Sequence, residues 1–528
     1  MHRISCPLCR GLVGGSLFGL ALTLAGGAPA QTLGPLVQVT DGDPFTFCTA
    51  DRVAQQESAF GSTVFPNTSI EPSVAVDPSN SSRLLVGHQQ DRWTDGGSRG
   101  LVGVASADGG STWADTIPGG VTACTGGSFI RASDPWVTFA PDGTAFFFSL
   151  AIDPAKPMTP FGARDSAVLV SRSTDHGQTW GAPTTLLQVH TDHVLNDKNS
   201  ITADPTAQGN VYAVWDQLSV FPQNGDKTAD EMLASDDGVA IARELAGFVT
   251  AAAGGAPSLK FNFTGPSFFA STATNGNAWS AARIIFDPGT NAQTINNLVV
   301  VPPSGTVFDF FTTINVAGSP GILSIGHVQS TDKGATFSGV SFATDIQVVK
   351  VVSPDSGQAI RDASILYGVA TNPNDGAIYL VWQDDRFSTA TCTTQGGGMI
   401  PIDGVAFSQS LDGGVTWSKP VQINKTPTNA ANPCRQQAFI PQVTVAGDGT
   451  IAVTYYDFRN DTNTPAGFEA TDYFALFCAP TAANPCSDPA NWGHETRLTV
   501  NSFNILDAPA VNSGHFLGDY MGLTARWA

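Results

Sequence analysis

An eight-residue box recurs along this chain and narrows what it can fold into. SADGGSTW starts at Ser106, STDHGQTW at Ser173, STDKGATF at Ser330 and SLDGGVTW at Ser410. A fifth copy, TATNGNAW from Thr272, keeps the glycine and tryptophan and has lost the aspartate. Self-similarity of this kind marks stacked structural units, none of which can bury its apolar faces alone. In such a box the aspartate can accept bonds from nearby backbone N–H groups, the glycine permits a positive φ, and the aromatic packs back on the sheet. Asp108, Asp175, Asp332 and Asp412 are therefore read as architecture and not as catalytic acids.

Each box lies between the third and fourth strands of a larger unit. The first two strands of these units read PSVAVDP with RLLVGHQQ, PWVTFAPDGTAFFFSLAI, SITADPTAQGNVYAVWD, LVVVPPSGTVFDFFTTI, SILYGVATNPNDGAIYLVWQD and PQVTVAGDGTIAVTYYD. Their alternation has a period near two, with Gly, Asp and Pro where a hairpin turns. The sixth unit replaces its box with the loop CAPTAANPC and keeps Trp492. Six four-stranded units predict an all-β chain, a six-bladed β-propeller of antiparallel blades. FLGDYMGLTARWA reads as the first strand of a further unit, and PLVQVTD as a fourth strand. The preferred reading pairs these two segments to close a ring of six, and the alternative makes them the remnant of a seventh blade.

The start of the chain bears on compartment. Arg3 and Arg10, the apolar run GLVGGSLFGLALTLAGG and the small residues Ala28 to Ala30 form a secretion signal over residues 1–30. Residues 31–66 follow as an N-terminal arm, and 67–528 form the repeat domain. Of eight cysteines, Cys6 and Cys9 fall in the signal, leaving an even six in the exported chain, as disulfides require. Cys478 and Cys486 are read as stapling one loop. Cys392 and Cys434 share a face, and the remaining pairing is open. No pair has C-x-x-C zinc spacing. The 25 Lys and Arg against 45 Asp and Glu give a net charge of −20, which argues against a nucleic-acid partner. No second apolar run suits a membrane span. Residues 228–253 break the β pattern with helical spacing and are expected to form an inserted helix.

The boxes resemble the Asp-boxes of the sialidase (neuraminidase) superfamily, over roughly residues 67 to 528. That resemblance implies a six-bladed propeller and a secreted hydrolase of exo-α-sialidase type, releasing terminal acidic sugars from glycans without a cofactor or metal. In a four-stranded blade, the loops between strands two and three, and those between blades, share the face opposite the boxes, and a site belongs there. That face collects Asp91, Arg92, Asp95, Arg131, Asp134, Asp216, Arg361, Asp362, Asp384, Asp385, Arg386, Arg435, Tyr455, Tyr456, Asp457, Arg459, His515, Asp519 and Tyr520. Arginines grip a sugar carboxylate in bidentate fashion, and a tyrosine replaces the carboxylate nucleophile that such a substrate would repel. On the resemblance, Asp95 is the acid/base residue and Tyr456, then Tyr520, the nucleophile. Arg92, Arg386, Arg435 and Arg459, with Asp457, are the substrate-binding residues. The chain departs from the family where SIEPSV places Ile70 at the position of its first arginine. Two alternatives stay open: a polysaccharide lyase or other glycosidase using His515 and Tyr520, and a non-catalytic propeller that binds glycans or proteins.

Overall fold

The computed structural model describes residues 34–40, 42–154, 163–222, 261–316 and 322–525. The expected signal and the expected helix at 228–253 lie outside them. The described chain is mostly β-structure, and its strands fall into six consecutive four-stranded antiparallel meanders. The first runs Val64–Val76, Leu84–Trp93, Ser98–Ser106, Ala114–Asp115. The second runs Arg131–Phe139, Ala145–Pro154, Ala163–Ser173, Thr184–Val189. The third runs Val194–Ala203, Val211–Pro222, Ser267–Thr272, Arg283–Phe286, with Phe261–Gly265 added beside its second strand. Ala292–Val300, Val307–Asn315, Ile322–Ser330 and Ser341–Asp345 make the fourth. Tyr367–Thr371, Ile378–Asp384, Gly404–Ser410 and Val421–Gln422 make the fifth. Ala438–Val445, Ile451–Asp457, Ala470–Cys478 and Thr496–Arg497 make the sixth.

The second strand of each meander is buried along most of its length because both of its faces are covered by neighbours. The core accordingly sits between successive meanders. Leu85 and Leu101 meet Val137 and Phe147, Phe148 meets Ile201 and Trp215, and Tyr212 and Phe269 meet Val299 and Val307. Phe308 and Phe310 meet Leu380 and Trp382, and Tyr379 and Phe407 meet Val453 and Trp492. Between the sixth meander and the first the arrangement changes. Phe439, Ile440 and Tyr456 pack on Leu517 and Met521, while Ile70 packs on Val511 and Phe516. The segment after the short strand Gly514–Phe516 therefore fills the junction, with Leu517 O accepting from Glu71 N. The expected pairing of chain ends is not what occupies it. Residues 35–40 form no strand, and Leu36 is 76% exposed.

The boxes behave as turn chemistry requires. Asp108 accepts from the backbone N–H groups of Ser111 (3.0 Å) and Thr112 (2.9 Å) and from the Thr112 hydroxyl (2.7 Å). The threonine side chain and N–H hold Asp108, Asp332 and Asp412 down at about 2. In the copy lacking aspartate, Thr274 accepts from Ala278 N at 2.9 Å. In three copies the residue after the acid position adopts positive φ and latches the first hairpin of the preceding meander. His176 (φ 64°) reaches Asp77 at 2.8 Å, Asn275 (φ 54°) reaches Asp142 at 2.8 Å, and Lys333 (φ 60°) reaches Asp204 at 3.0 Å. One motif thus shapes a turn and joins two units.

The residues expected as an arm carry a helix, Val53–Phe60, and the first strand begins inside that range at Val64. Disulfides join Cys48 to Cys124, Cys392 to Cys434 and Cys478 to Cys486. Among the described residues, no helix is long and apolar enough to cross a membrane.

Asp204 also accepts from the buried Tyr212 hydroxyl at 2.8 Å. Asp204→Ala leaves that hydroxyl unpaired and should cost about 1–3 kcal/mol. Lys333→Met removes only a half-exposed partner and should cost under about 1 kcal/mol. Denaturant titration of the two variants checks the order.

Candidate functional site

The first strand of each meander carries a second repeat that the boxes do not advertise. One residue per unit has left-handed backbone: Glu71 (φ 51°), Asp134 (48°), Lys198 (43°), Asn296 (61°), Ala363 (52°, just before its strand) and Ile440 (50°). In five of the six, the pairing register slips there because three steps of the first strand face two of the second. These are β-bulges, which re-aim a side chain, and their strained φ is the sort that folds retain at working sites. Three of these six positions are ionisable, and their side chains meet.

Lys198 is the hub. Its Nζ lies 2.6 Å from Asp519 Oδ2, 3.4 Å from Asp134 Oδ1 and 4.0 Å from Glu71 Oε1. Arg361 grips the same Asp519 carboxylate from another side, with Nε 2.9 Å from Oδ1 and Nη2 on Oδ2. Glu71 accepts from Asp519 N at 3.0 Å and from the Gln89 amide. Arg92 donates to Gln89 Oε1 at 2.8 Å, and its Nε is buried without a partner. The Phe516 ring lies 5.0 Å from the Arg92 guanidinium and 4.3 Å from that of Arg361. Tyr520 borders the group, its hydroxyl donating to Pro135 O at 3.3 Å and its ring edge-on to Trp136.

Burial and charge divide the protons among these groups. Burial first, then the charges of Asp134 and Asp519, push Glu71 up to about 8, with Lys198 pulling the other way. Asp519 is as buried, but Arg361 and Lys198 outweigh its desolvation and hold it far below the usual range. Lys198 is raised because Asp134, Asp519 and Glu71 overcome its burial. Next to them, burial lifts Asp197 to about 6, and burial with the charge of Asp197 raises Asp216 well above the ordinary value. At neutral pH the cluster therefore keeps an acidic proton on Glu71 beside ionised Asp519 and three cations.

The sequence candidates distribute unevenly around this centre. Arg92 and Tyr520 belong to it, as do Asp134, Arg361 and Asp519 from the longer list. Asp95 is tied to Arg131 at 2.7 Å, and Arg131 also stacks on Trp93. Tyr456 is wedged among Phe439, Tyr473 and Phe503, with its hydroxyl 3.6 Å from Met521 Sδ. Arg386 is held by Asp384 and Arg459 by Asp457, each through Nε at 2.6 Å. Arg435 bonds Asp461 (2.8 Å) and Asp355 (3.2 Å). These three arginines are spent on separate local carboxylates and do not converge. Asp355, Asp461 and Glu469 gather closely enough to suggest a cation, but Arg435 and backbone N–H groups occupy their oxygens. Glu71 and Lys198 escaped sequence reading. Aligning the six first strands on SIEPS, SDPW and DKNS would have put Glu71, Asp134 and Lys198 at one position.

Space at the cluster is small. A cavity of about 10 Å³, near the size of one water, touches Trp136, Asn296, Gln383, Ile440, Asp519 and Tyr520. Where the first strands run toward the box hairpins, a wider cavity of about 510 Å³ opens among Val74, Trp136, Thr138, Ile201, Val300 and Thr524.

No family model and no curated protein matches the sequence. Similar solved structures include a protein of unknown function from Dyadobacter fermentans, at 13% identity over 75% of this chain and 93% of that one (TM-score 0.42). A Hadza microbial sialidase is similar at 14% identity over 80% and 68% (TM-score 0.40). An α-L-arabinanase from Penicillium chrysogenum, complexed with arabinobiose, is similar at 12% identity over 73% and 88% (TM-score 0.42). Likeness this distant assigns no activity, so the cluster has to be interpreted from its own chemistry.

Two outcomes follow for the cluster. Glu71 has a folded pKa near 8, raised above about 4.3 for an unfolded chain. The stability it contributes is full below about pH 4.3 and is lost as pH rises through about 8. Glu71→Gln should flatten this part of a stability-versus-pH curve, and an unchanged slope would contradict the shift. Lys198→Met strands buried carboxylates and should cost about 3–5 kcal/mol, read by denaturant titration.

Proposed function

We propose that the chain is an exported six-bladed β-propeller that acts on a carboxylate-bearing glycan at the cluster around Lys198. The six meanders with their repeated bulge support six blades, with the segment from Leu517 sealing the sixth against the first. The three disulfides fit an oxidising compartment. The observation that carries the functional reading is the meeting of Arg92, Lys198 and Arg361, from three different parts of the ring, with a protonated Glu71. The cations would hold the sugar carboxylate. Glu71 would give its proton to the leaving oxygen, and Asp134 is the adjacent carboxylate available to the reacting carbon or to water.

The exo-α-sialidase form of this reading assigns Asp95 as acid/base and Tyr456 or Tyr520 as nucleophile. Tyr520 is the one that borders the cluster. Burial raises the pKa of both tyrosines well above the ordinary value, so each would need a base to become nucleophilic, and carboxylate chemistry through Glu71 and Asp134 is the simpler course. A second reading, a propeller that binds an acidic glycan without reacting, is favoured by the pairing of Asp519 with two of the cations.

The test is hydrolysis of a fluorogenic α-sialoside and of uronate-containing oligosaccharides by the wild type, Glu71→Gln and Arg361→Ala. Loss of general-acid catalysis should lower turnover by about 10²–10⁴-fold in Glu71→Gln. Wild-type turnover should also fall above about pH 8, as Glu71 gives up its proton. Turnover that survives Glu71→Gln would remove that assignment. Saturable binding with no turnover would select the non-catalytic reading.

A further inference from the structure

Asp519 belongs to none of the six meanders. It lies in the segment that follows the strand Gly514–Phe516, yet its carboxylate has the closest ion pairs of the cluster. Lys198 comes from the third meander, Arg361 from the approach to the fifth, and Arg92 from the second strand of the first. Arg92 is only 4% exposed, has an Nε without a partner, and faces Arg361 through Phe516. A buried guanidinium with an idle donor is costly. Two cations on one carboxylate, with a third beside them short of an acceptor, have the composition of an anion clamp loaded by the protein itself.

We infer that Asp519 is an internal ligand of this clamp. It takes the place of the carboxylate of an external acidic sugar, which binds only when Asp519 withdraws. The inference rests on the carboxylate-binding part of the functional reading above. Two glycines flank Asp519, each in close contact with the first strand of the first meander. Gly518 precedes Asp519 at φ 146°, where an added Cβ would come within 3.0 Å of Glu71 N and 2.9 Å of Tyr520 O. Gly522 follows three residues later, packed on Pro72 and Ser73. Between these glycines, Tyr520 contributes one hydroxyl bond. The hydrophobic anchors Leu517 and Met521 rest on the sixth meander and need not leave with Asp519. Competition of this kind weakens apparent affinity by the fraction of molecules in which the internal ligand is out.

Carboxylate rescue tests it. Thermal unfolding of the full chain is followed for wild type, Asp519→Ala and Asp519→Asn in sodium acetate or sodium glucuronate, against sodium chloride at equal ionic strength. Asp472→Ala serves as a control, because Asp472 is also fully buried and held by an arginine, Arg497, away from the clamp. Asp519→Ala should gain about 3 °C or more, saturably, with either carboxylate, while wild type and Asp472→Ala gain little. An equal gain in wild type, no gain in Asp519→Ala, or the same gain in Asp472→Ala would each overturn the inference. If Asp519→Ala folds only in acetate, the inference stands. If neither Asp519 variant folds in any of the salts, the carboxylate is a fixed structural pin and the inference falls. Rescue without any glycan binding or turnover would keep the loaded clamp and remove the glycan reading. Equal glycan affinity in wild type and Asp519→Asn would do the reverse.

Discussion

The ion pair between Lys198 and Asp519 ties the last described segment to the third meander, and much else depends on it. Asp519 stays ionised while fully buried only because Lys198 and Arg361 bracket it. Its backbone N–H in turn binds Glu71, whose side chain holds Gln89 and, through it, Arg92. Three cations and several acids can share this volume because the protons are unequally placed, with Glu71 keeping its own and Asp519 giving its own away. Taking away any one charge would leave the others poorly compensated in a medium that screens them weakly.

Two repeats with different chemistry build this centre. The boxes work at the rim, where an exposed aspartate organises a turn and the following residue hooks the neighbouring unit. The bulges work where the first strands gather, and there the repeated element is a backbone conformation with no fixed residue type. Only three of six positions carry charge, so the geometry is shared while the chemistry belongs to the first three meanders. That division explains why the boxes say much about architecture and nothing about a ligand.

The meanders, the box turns and two of the three disulfides were legible from the sequence, because each rests on local spacing. The central cluster was legible only in part. Arg92, Asp134, Arg361, Asp519 and Tyr520 were found as charged or aromatic residues at strand ends. Glu71 and Lys198 were not, since each lies within a strand and not at its end, and gains meaning from residues more than a hundred positions away. Arg386 and Arg459 show the opposite failure. Both stand in D-x-R, and the aspartate two residues earlier takes up the guanidinium through Nε, a pairing the spacing itself announces. The closing segment was expected to pair with residues near the start of the chain. Its apolar residues instead pack on the sixth meander through Leu517 and Met521 and on Ile70 of the first through Phe516.

The central claim is that Asp519 and Lys198 form a strong, specific contact at the centre of the molecule. A double-mutant cycle with Lys198→Met and Asp519→Asn, read by denaturant unfolding, measures it directly. The account predicts a coupling of about 1.5–3 kcal/mol, with the double variant more stable than the sum of the single losses implies. Losses that add to within about 0.5 kcal/mol would mean the two residues do not interact, and would contradict the account.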